Sequence, residues 1–355
     1  MKYLLKVIFI FFCFTLSTAQ IPFYYQNINL NLTGNFLKNE LSNLISSTHQ
    51  TQVEYTSSSS VDTWDVIKVS DGFSTDPSKV ILIYGYDDND ATVENDRTRA
   101  KSLSCHTGSC FGLWNREHVY PKSLASPNLV TNYPSAGTDV HNLRACDYST
   151  NSSRSNKKFD AGNGNSSSNN QGNWFPGDEW KGDVARIIMY MYLRYPNQCE
   201  PTNVGIGTQL FSPNGDMPDV FLNWNFSDPV SEFEETRNNS IANVQGNRNP
   251  FIDNPYLATV IWNGPAAEDK WAFANSIKDY ESESFELKID PQNNEIIIEN
   301  LDFTDFLFLE LINMKGEIIT VTRNNFVRTS DLANGIYFLK LTMKHTSYLR
   351  KVSLY

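Results

Sequence analysis

One short window, Trp114–Asn156, gathers most of the side chains in this chain that could do polar chemistry together. It opens with WNREHVYPKS, passes through a long loop, and closes with DVHNLRACDYSTNSSRSN. Glu117 and His118 are adjacent, so on a strand they point to opposite faces, and a strand end or bulge is needed for both to serve one pocket. Glu117 offers a carboxylate, His118 an imidazole that titrates near neutral pH, and Asn151 an amide oxygen. Arg116, Lys122, Arg144 and Arg154 offer positive charge in the same window, and Arg186 offers more from a later helix.

This is the inventory that phosphodiester hydrolysis requires. A water must lose a proton, and His118 is the candidate general base. A hard cation such as Mg²⁺, with Mn²⁺ or Ca²⁺ as substitutes, needs oxygen ligands and keeps several waters, so Glu117 and Asn151 suffice as its protein ligands. Arginine grips phosphate bidentately, which makes Arg144 and Arg186 the catalytic candidates and Arg154, Lys122 and Arg116 the substrate-binding ones. His141 reads as a structural histidine, and His49, His106 and His345 have no acidic neighbours at useful spacing along the chain. Neither H-E-x-x-H nor H-x-x-E-H occurs, which disfavours a zinc protease.

The elements that must position these residues follow from pattern. Two strands, around 115–120 and 139–145, joined by a long loop and followed by a short helix from Thr150, would bring Asn151 back toward Glu117. Residues 35–49 carry Phe36, Leu37, Leu41, Leu44 and Ile45 at helical spacing, and Trp64–Val69 reads as a second short helix. Val80–Tyr86 is a buried strand by length and β-branching, followed by a polar loop to Arg99. Residues 161–173, almost all Gly, Asn and Ser, read as a mobile surface loop. Trp174–Tyr195 reads as one long helix with Val184, Ile187, Ile188 and Met191 as its buried stripe. Residues 219–262 are helical again, apart from Gly246–Phe251, which must leave the helix and anchor by specific contacts. From Phe285 the pattern becomes short alternating strands, a small antiparallel sandwich.

The chain has 355 residues and a net charge of −11, so wholesale electrostatic capture of nucleic acid is excluded. A nucleic-acid enzyme with this balance depends on a local basic patch, a bound cation, or both. Between residues 139 and 158, Arg144, Arg154, Lys157 and Lys158 face only Asp139 and Asp147. Residues 1–19 have the charged start, apolar core and small-residue end of a secretory signal peptide. No later segment is apolar enough to span a bilayer, so no stable membrane insertion is expected, and a monomer is the expectation. With Cys13 in the signal, Cys105, Cys110, Cys146 and Cys199 remain. An even count in an exported chain favours two disulfides. Cys105–Cys110 and Cys146–Cys199 are the expected pairs.

The motifs WNREHVYPKS, DVHNLRACD with TNSSRSNKKF, KGDVARIIMYMYLRY and DPVSEFEETRNNSIANVQGNRNPFIDNP resemble the bacterial endonuclease I family, secreted ββα-metal (His-Me finger) nucleases. The match runs in order over most of residues 35–263. The resemblance implies an α+β fold, mainly helical around a ββα-metal motif, in residues 20–275. It implies His118 as general base, Glu117 and Asn151 as ligands of one divalent cation, and products ending in 5′-phosphate. In that family the arginine that stabilises the transition state comes from the loop between the base and the second strand. Here loop 119–138 holds no arginine, only Lys122, which leaves Arg144 and Arg186 as replacements.

The last segment resembles a type IX secretion C-terminal sorting domain, with DLANGIYFLKL and LRKVSLY as the matching stretches. It implies a linker at 276–284, an all-β domain at 285–355, the type IX machinery as partner, and a final place outside the cell or on its surface. The function expected is a secreted, metal-dependent, largely sequence-nonspecific endonuclease acting on DNA, with action on RNA left open by the sequence. The rivals are a non-catalytic nucleic-acid-binding surface protein of the same fold, and a phosphodiesterase acting on a small or lipid substrate.

Overall fold

The computed structural model describes residues 21–106, 108–271, 286–290, 293–299, 306–313, 318–343 and 347–354. The expected signal peptide and the expected linker lie outside the described residues. Helix α1, Gly34–Ser47, buries Leu37, Leu41 and Ile45 at four-residue spacing, one stripe of an amphipathic helix. Helix α2, Thr63–Ser70, starts from a capping box in which the Asp62 and Asp65 carboxylates each accept the other's end of the turn.

Strands β1 (Gly72–Phe73), β2 (Asp76–Ile81) and β3 (Thr98–Ala100) form a small antiparallel sheet in that order. The apolar run at 80–86 is therefore a strand only to Ile81. Beyond it, Leu82 N–H bonds to the Arg97 carbonyl and Ile83 N–H to the Ala145 carbonyl, and Tyr84 turns the chain at φ 73°. A non-glycine residue rarely holds that conformation, and burial of the Tyr84 side chain keeps it there. The polar stretch that follows is not all loop, since it contains β3.

Strand β4, Trp114–His118, pairs antiparallel with β5, Leu143–Asp147, in the register Glu117 to Arg144 and His118 to Leu143. Helix α3, Tyr148–Arg154, follows directly. The expected ββα unit is present, with three boundaries shifted for identifiable reasons. Pro121 lies just beyond the end of β4, the Asp139 side chain caps a single 3₁₀ turn at Val140–Asn142, and Asp147 caps α3 by accepting from Thr150 N–H at 2.8 Å.

The Gly/Asn/Ser-rich stretch is pinned rather than loose. Strands β6 (Ser167–Ser168) and β7 (Trp174–Phe175) pair across it, and the Asp160 carboxylate accepts from Asn169 at 2.7 Å and Asn173 at 3.0 Å. Trp174 and Phe175 thus belong to a strand, not to the long helix expected there. Helix α4 begins only at Lys181 and runs to Arg194. It is buried on most sides: Ala185, Met189, Tyr190 and Leu193 join the expected Val184, Ile187, Ile188 and Met191. Around it lie α1, α5 (Asp219–Ser227) and α7 (Pro250–Asp253), with α6 (Glu232–Gln245) and α8 (Tyr256–Trp262) completing the helical set. Gly246 ends α6 at φ 90°, and the buried Asn247 and Asn249 anchor the segment after it, as expected.

The C-terminal region is a sandwich. Strands β8 (Glu286–Asp290), β9 (Glu295–Glu299), β10 (Phe306–Asn313), β11 (Ile318–Thr322), β12 (Phe326–Arg328), β13 (Gly335–Met343) and β14 (Ser347–Leu354) form two sheets. Their orders are β12-β9-β8 and β11-β10-β13-β14. Ile296, Ile298 and Val327 of one sheet pack with Leu309, Leu311, Leu339, Leu341 and Val352 of the other. Among the described residues no helix is long and apolar enough to cross a membrane.

Candidate active site

His118 ends β4 almost fully buried, and its Nε2 lies 2.8 Å from the carbonyl oxygen of Gly137. A carbonyl only accepts, so Nε2 carries the proton and Nδ1 keeps a lone pair. The Tyr55 ring stacks on the imidazole at 5.7 Å between centroids. Burial pushes the His118 pKa down to about 3, with Lys122, Arg116 and Arg154 adding repulsion and the Gly137 carbonyl opposing. The imidazole is therefore neutral throughout the neutral range, with Nδ1 unprotonated.

Loop 119–138 presents the Gly137 carbonyl. A side chain at Gly137 would collide with the backbone of Val130, so glycine is required for the close approach. Asn142 fixes the chain just past the base, accepting from Tyr120 N–H at 2.7 Å and donating to the Tyr120 carbonyl at 3.2 Å. Gly137→Ala is expected to move the carbonyl off Nε2 and to lower kcat by on the order of ten- to a hundredfold. Steady-state kinetics beside a melting curve checks this, and a fold intact with unchanged kcat would detach Gly137 from the base.

Glu117, the residue before His118 at the end of β4, is buried, and Arg154 touches both residues. Glu117 Oε1 accepts from Tyr84 Oη at 3.1 Å and pairs with Arg154 Nη1 at 3.3 Å. Burial pushes the Glu117 carboxyl up to about 7, and Arg154 and Tyr84 only partly oppose it. Asn151, one turn into α3, donates from Nδ2 to Asn115 Oδ1 at 2.7 Å. A buried carboxylate with too little compensating charge, with an amide on the helix packed against its strand, is a donor set that suits a hard divalent cation. Among the described residues no three His, Cys, Asp or Glu side chains are clustered for metal binding. A cation here would therefore rest on Glu117 and an amide.

The basic residues divide differently from the sequence expectation. Arg144 is buried in ion pairs with Asp71 at 3.2 Å and Asp183 at 2.8 Å. Arg186 is buried against Glu234, with Nε to Oε1 at 2.6 Å and Nη2 to Oε2 at 2.7 Å. Both guanidinia, expected to face phosphate, are committed to the scaffold. Arg154 is fully buried too, and spends its donors on the His118, Val119 and Ser155 carbonyls as well as on Glu117. Arg116 lies sandwiched between Tyr55, at 3.4 Å, and Trp64, at 4.0 Å, donating to the Tyr55 carbonyl and to Thr63 Oγ1. Lys122 stands in the first turn after β4, exposed and close enough to weigh on the His118 pKa.

Other residues settle as follows. His141 is structural as expected, with Nε2 3.3 Å from the Asn247 carbonyl and its ring 4.3 Å from that of Tyr190. His49, which has no acidic neighbour along the chain, finds one in space: Nδ1 lies 3.8 Å from the buried Asp139 carboxylate. Cys105 and Cys110 form a disulfide, but Cys146 and Cys199 are free and buried, a correction to the expected second pair. Cys146 faces the Ile83 carbonyl from β5, whereas Cys199 sits past the end of α4 and donates its N–H to the Tyr195 carbonyl. An even cysteine count carried no information about those positions.

The endonuclease I family model matches residues 33–256, which spans this entire arrangement from α1 to the start of α8. The chain belongs to the endonuclease I family. A second family model, the secretion system C-terminal sorting domain, matches residues 290–354 and so the sandwich. Two relatives are named extracellular ribonuclease. That of Bacillus subtilis (strain 168) is 35% identical over 251 residues, covering 67% of this chain and 78% of the relative. That of Bacillus amyloliquefaciens is 35% identical over 257 residues, covering 69% and 80%. This endonuclease I homologue is a nuclease, a hydrolase of phosphodiester bonds, and its tail is a type IX sorting domain that marks it for secretion or the cell surface.

Tyr55, Tyr84, Asn115 and Gly137 are among the residues around the candidate site that the sequence reading missed. Tyr84 sat inside an apolar run with every appearance of a strand interior. Gly137 was one glycine in a long loop, and nothing local tied it to His118.

Proposed function

We propose that this endonuclease I homologue is a metal-dependent, largely sequence-nonspecific endonuclease that cuts both DNA and RNA outside the cell, leaving 5′-phosphate ends. The observation that carries the reading is the His118 tautomer: Nε2–H donates to the Gly137 carbonyl, and Nδ1 is left as acceptor. Nδ1 takes the proton of the attacking water. The Gly137 carbonyl and the Tyr55 ring hold the imidazole in that orientation, so no reorganisation is needed when the proton moves. Glu117 and Asn151 would hold one divalent cation, Mg²⁺ or, in its place, Mn²⁺ or Ca²⁺. Such a cation supplies charge stabilisation at the phosphate and the departing 3′ oxygen.

Lys122 is the phosphate contact in this reading. It stands in the loop from which the family's arginine comes, and it is exposed beside the base, whereas Arg144, Arg154 and Arg186 are spent on buried partners. Arg116 contributes by holding Tyr55 against His118 and adds positive potential on the same face. Because water is the nucleophile, the sugar 2′-hydroxyl is not required, and a DNA backbone serves as well as RNA. The relatives' names support the RNA arm. Phosphate contacts carry no sequence information, which fits cleavage without base preference.

The test incubates the mature protein with circular double-stranded DNA, single-stranded DNA and RNA, with and without chelator. Cleavage of all three, stopped by chelator and restored by Mg²⁺ or Mn²⁺, is the expected result. Cleavage that ignores the chelator overturns the metal assignment, and cleavage confined to RNA overturns the substrate assignment.

A further inference from the structure

Asn115 lies two residues before Glu117 on β4, so both side chains leave the same face of the strand. Across that face stands α3, which reaches β4 through Arg154, paired with Glu117, and through a contact between the amides of Asn115 and Asn151. Asn151 Nδ2 donates to Asn115 Oδ1 at 2.7 Å.

The chemistry of an amide makes this bond directional. An asparagine presents an oxygen at one side of its terminal plane and an NH₂ at the other, and half a turn about the last bond exchanges them. Only the oxygen can bind a cation, and an NH₂ turned toward a cation repels it. An acceptor fixed behind the NH₂ group selects the rotamer that leaves the oxygen facing outward. Asn115 Oδ1 occupies the acceptor position behind the Asn151 NH₂ group.

The frame around the pair is rigid enough for the selection to count. Asp147 caps α3 through Thr150 N–H, Arg99 Nη1 grips the same Asp147 carboxylate at 2.5 Å, and Thr150 Oγ1 donates to the Glu94 carbonyl at 2.6 Å. The helix that carries Asn151 is thus fixed to β5 and to the neighbouring loop, leaving the terminal amide as the free variable. Both asparagines are half-buried, so water competes for the amide whenever Asn115 is absent.

We infer that Asn115 is a positioning residue for the cation ligand Asn151, holding its amide with the oxygen outward. The inference rests on the proposed Glu117–Asn151 cation site. It assigns Asn115 no contact with substrate.

The experiment titrates Mn²⁺ into the full mature chain and follows free Mn²⁺ by electron paramagnetic resonance, beside melting curves and steady-state kinetics. Asn115→Leu, close in shape but without an acceptor, is expected to weaken Mn²⁺ binding by about 10- to 100-fold, the usual effect of losing a partner behind a ligand. Its melting temperature stays near that of the wild type, and saturating Mn²⁺ restores most of its kcat. Asn115→Asp keeps the acceptor and retains wild-type affinity or better. Equal affinity in wild type and Asn115→Leu overturns the inference, as does a loss in Asn115→Asp as large as in Asn115→Leu. Asn151→Ala separates this claim from the one beneath it. If Asn151→Ala binds Mn²⁺ as the wild type does, the cation site itself is misassigned. If Asn151→Ala loses Mn²⁺ and Asn115→Leu does not, only the positioning role fails.

Discussion

His118→Ala is expected to lower kcat by about 10³-fold, within the range of roughly 10²- to 10⁴-fold that a lost general base costs. Mn²⁺ affinity should be unchanged, because Glu117 and Asn151 are untouched. The variant should fold, at a cost of about 1–3 kcal/mol for leaving the buried Gly137 carbonyl without its donor. Single-turnover cleavage under saturating metal measures the effect on the chemical step alone. The size of the loss follows from geometry already in place. The imidazole is neutral, its tautomer is fixed by the Gly137 carbonyl, and Tyr55 covers one ring face. His141 cannot take over the role, because it is buried against Asn247 and Tyr190. A variant that keeps more than a tenth of the wild-type rate would remove His118 from the reaction.

Arg144→Ala should act on stability instead. The side chain is buried between the carboxylates of Asp71 and Asp183, and truncation leaves both without their shared cation. Removing one partner of a buried ion pair costs about 3–5 kcal/mol, a large part of the stability of a typical domain. Asp71 retains Arg237, at 2.9 Å, and Asp183 retains only the more distant Arg186, at 4.0 Å, so Asp183 bears most of the loss. Urea unfolding of the purified chain reads the change, and kcat per folded molecule should fall far less than it does for His118→Ala. If Arg144→Ala leaves stability intact while abolishing cleavage, the guanidinium faces phosphate after all. Arg186, clasped bidentately by Glu234, follows the same logic.

These two residues show what was legible in the sequence. The window around WNREH draws attention to Glu117 and His118, but a Glu-His pair alone is more often structural, and it is the resemblance of the longer motifs that gives the pair and the distant Asn151 their expected roles. Apolar periodicity placed α1, α2 and the core of α4, since helices that pack on one another must repeat their buried face. The alternation from Phe285 onward gave the sandwich by the same reasoning at a period of two, missing only the short β12.

The fate of the arginines was not legible. Asp71, which receives both Arg144 and Arg237, is far from either along the chain, and no local pattern marks it. An arginine near a catalytic motif looks the same in sequence whether it meets phosphate or a buried carboxylate. The segment WFPGDEW misled for a related reason. Its aromatic residues extend the apolar pattern of α4 backward, yet Trp174 and Phe175 pair with Ser168 and Ser167 in a strand. The turn at Tyr84 follows tertiary bonds from Leu82 to Arg97 and from Ile83 to Ala145, and Ser166 Oγ donates to its carbonyl at 2.7 Å.

In the proposed reaction a water activated by His118, and not a sugar hydroxyl, attacks the phosphorus. The ends left on RNA test it most directly. Digestion of a short RNA of defined sequence, followed by mass spectrometry of the fragments, should show 5′-phosphate and 3′-hydroxyl termini, the same as on DNA. Fragments ending in 2′,3′-cyclic phosphate with 5′-hydroxyl partners would contradict it.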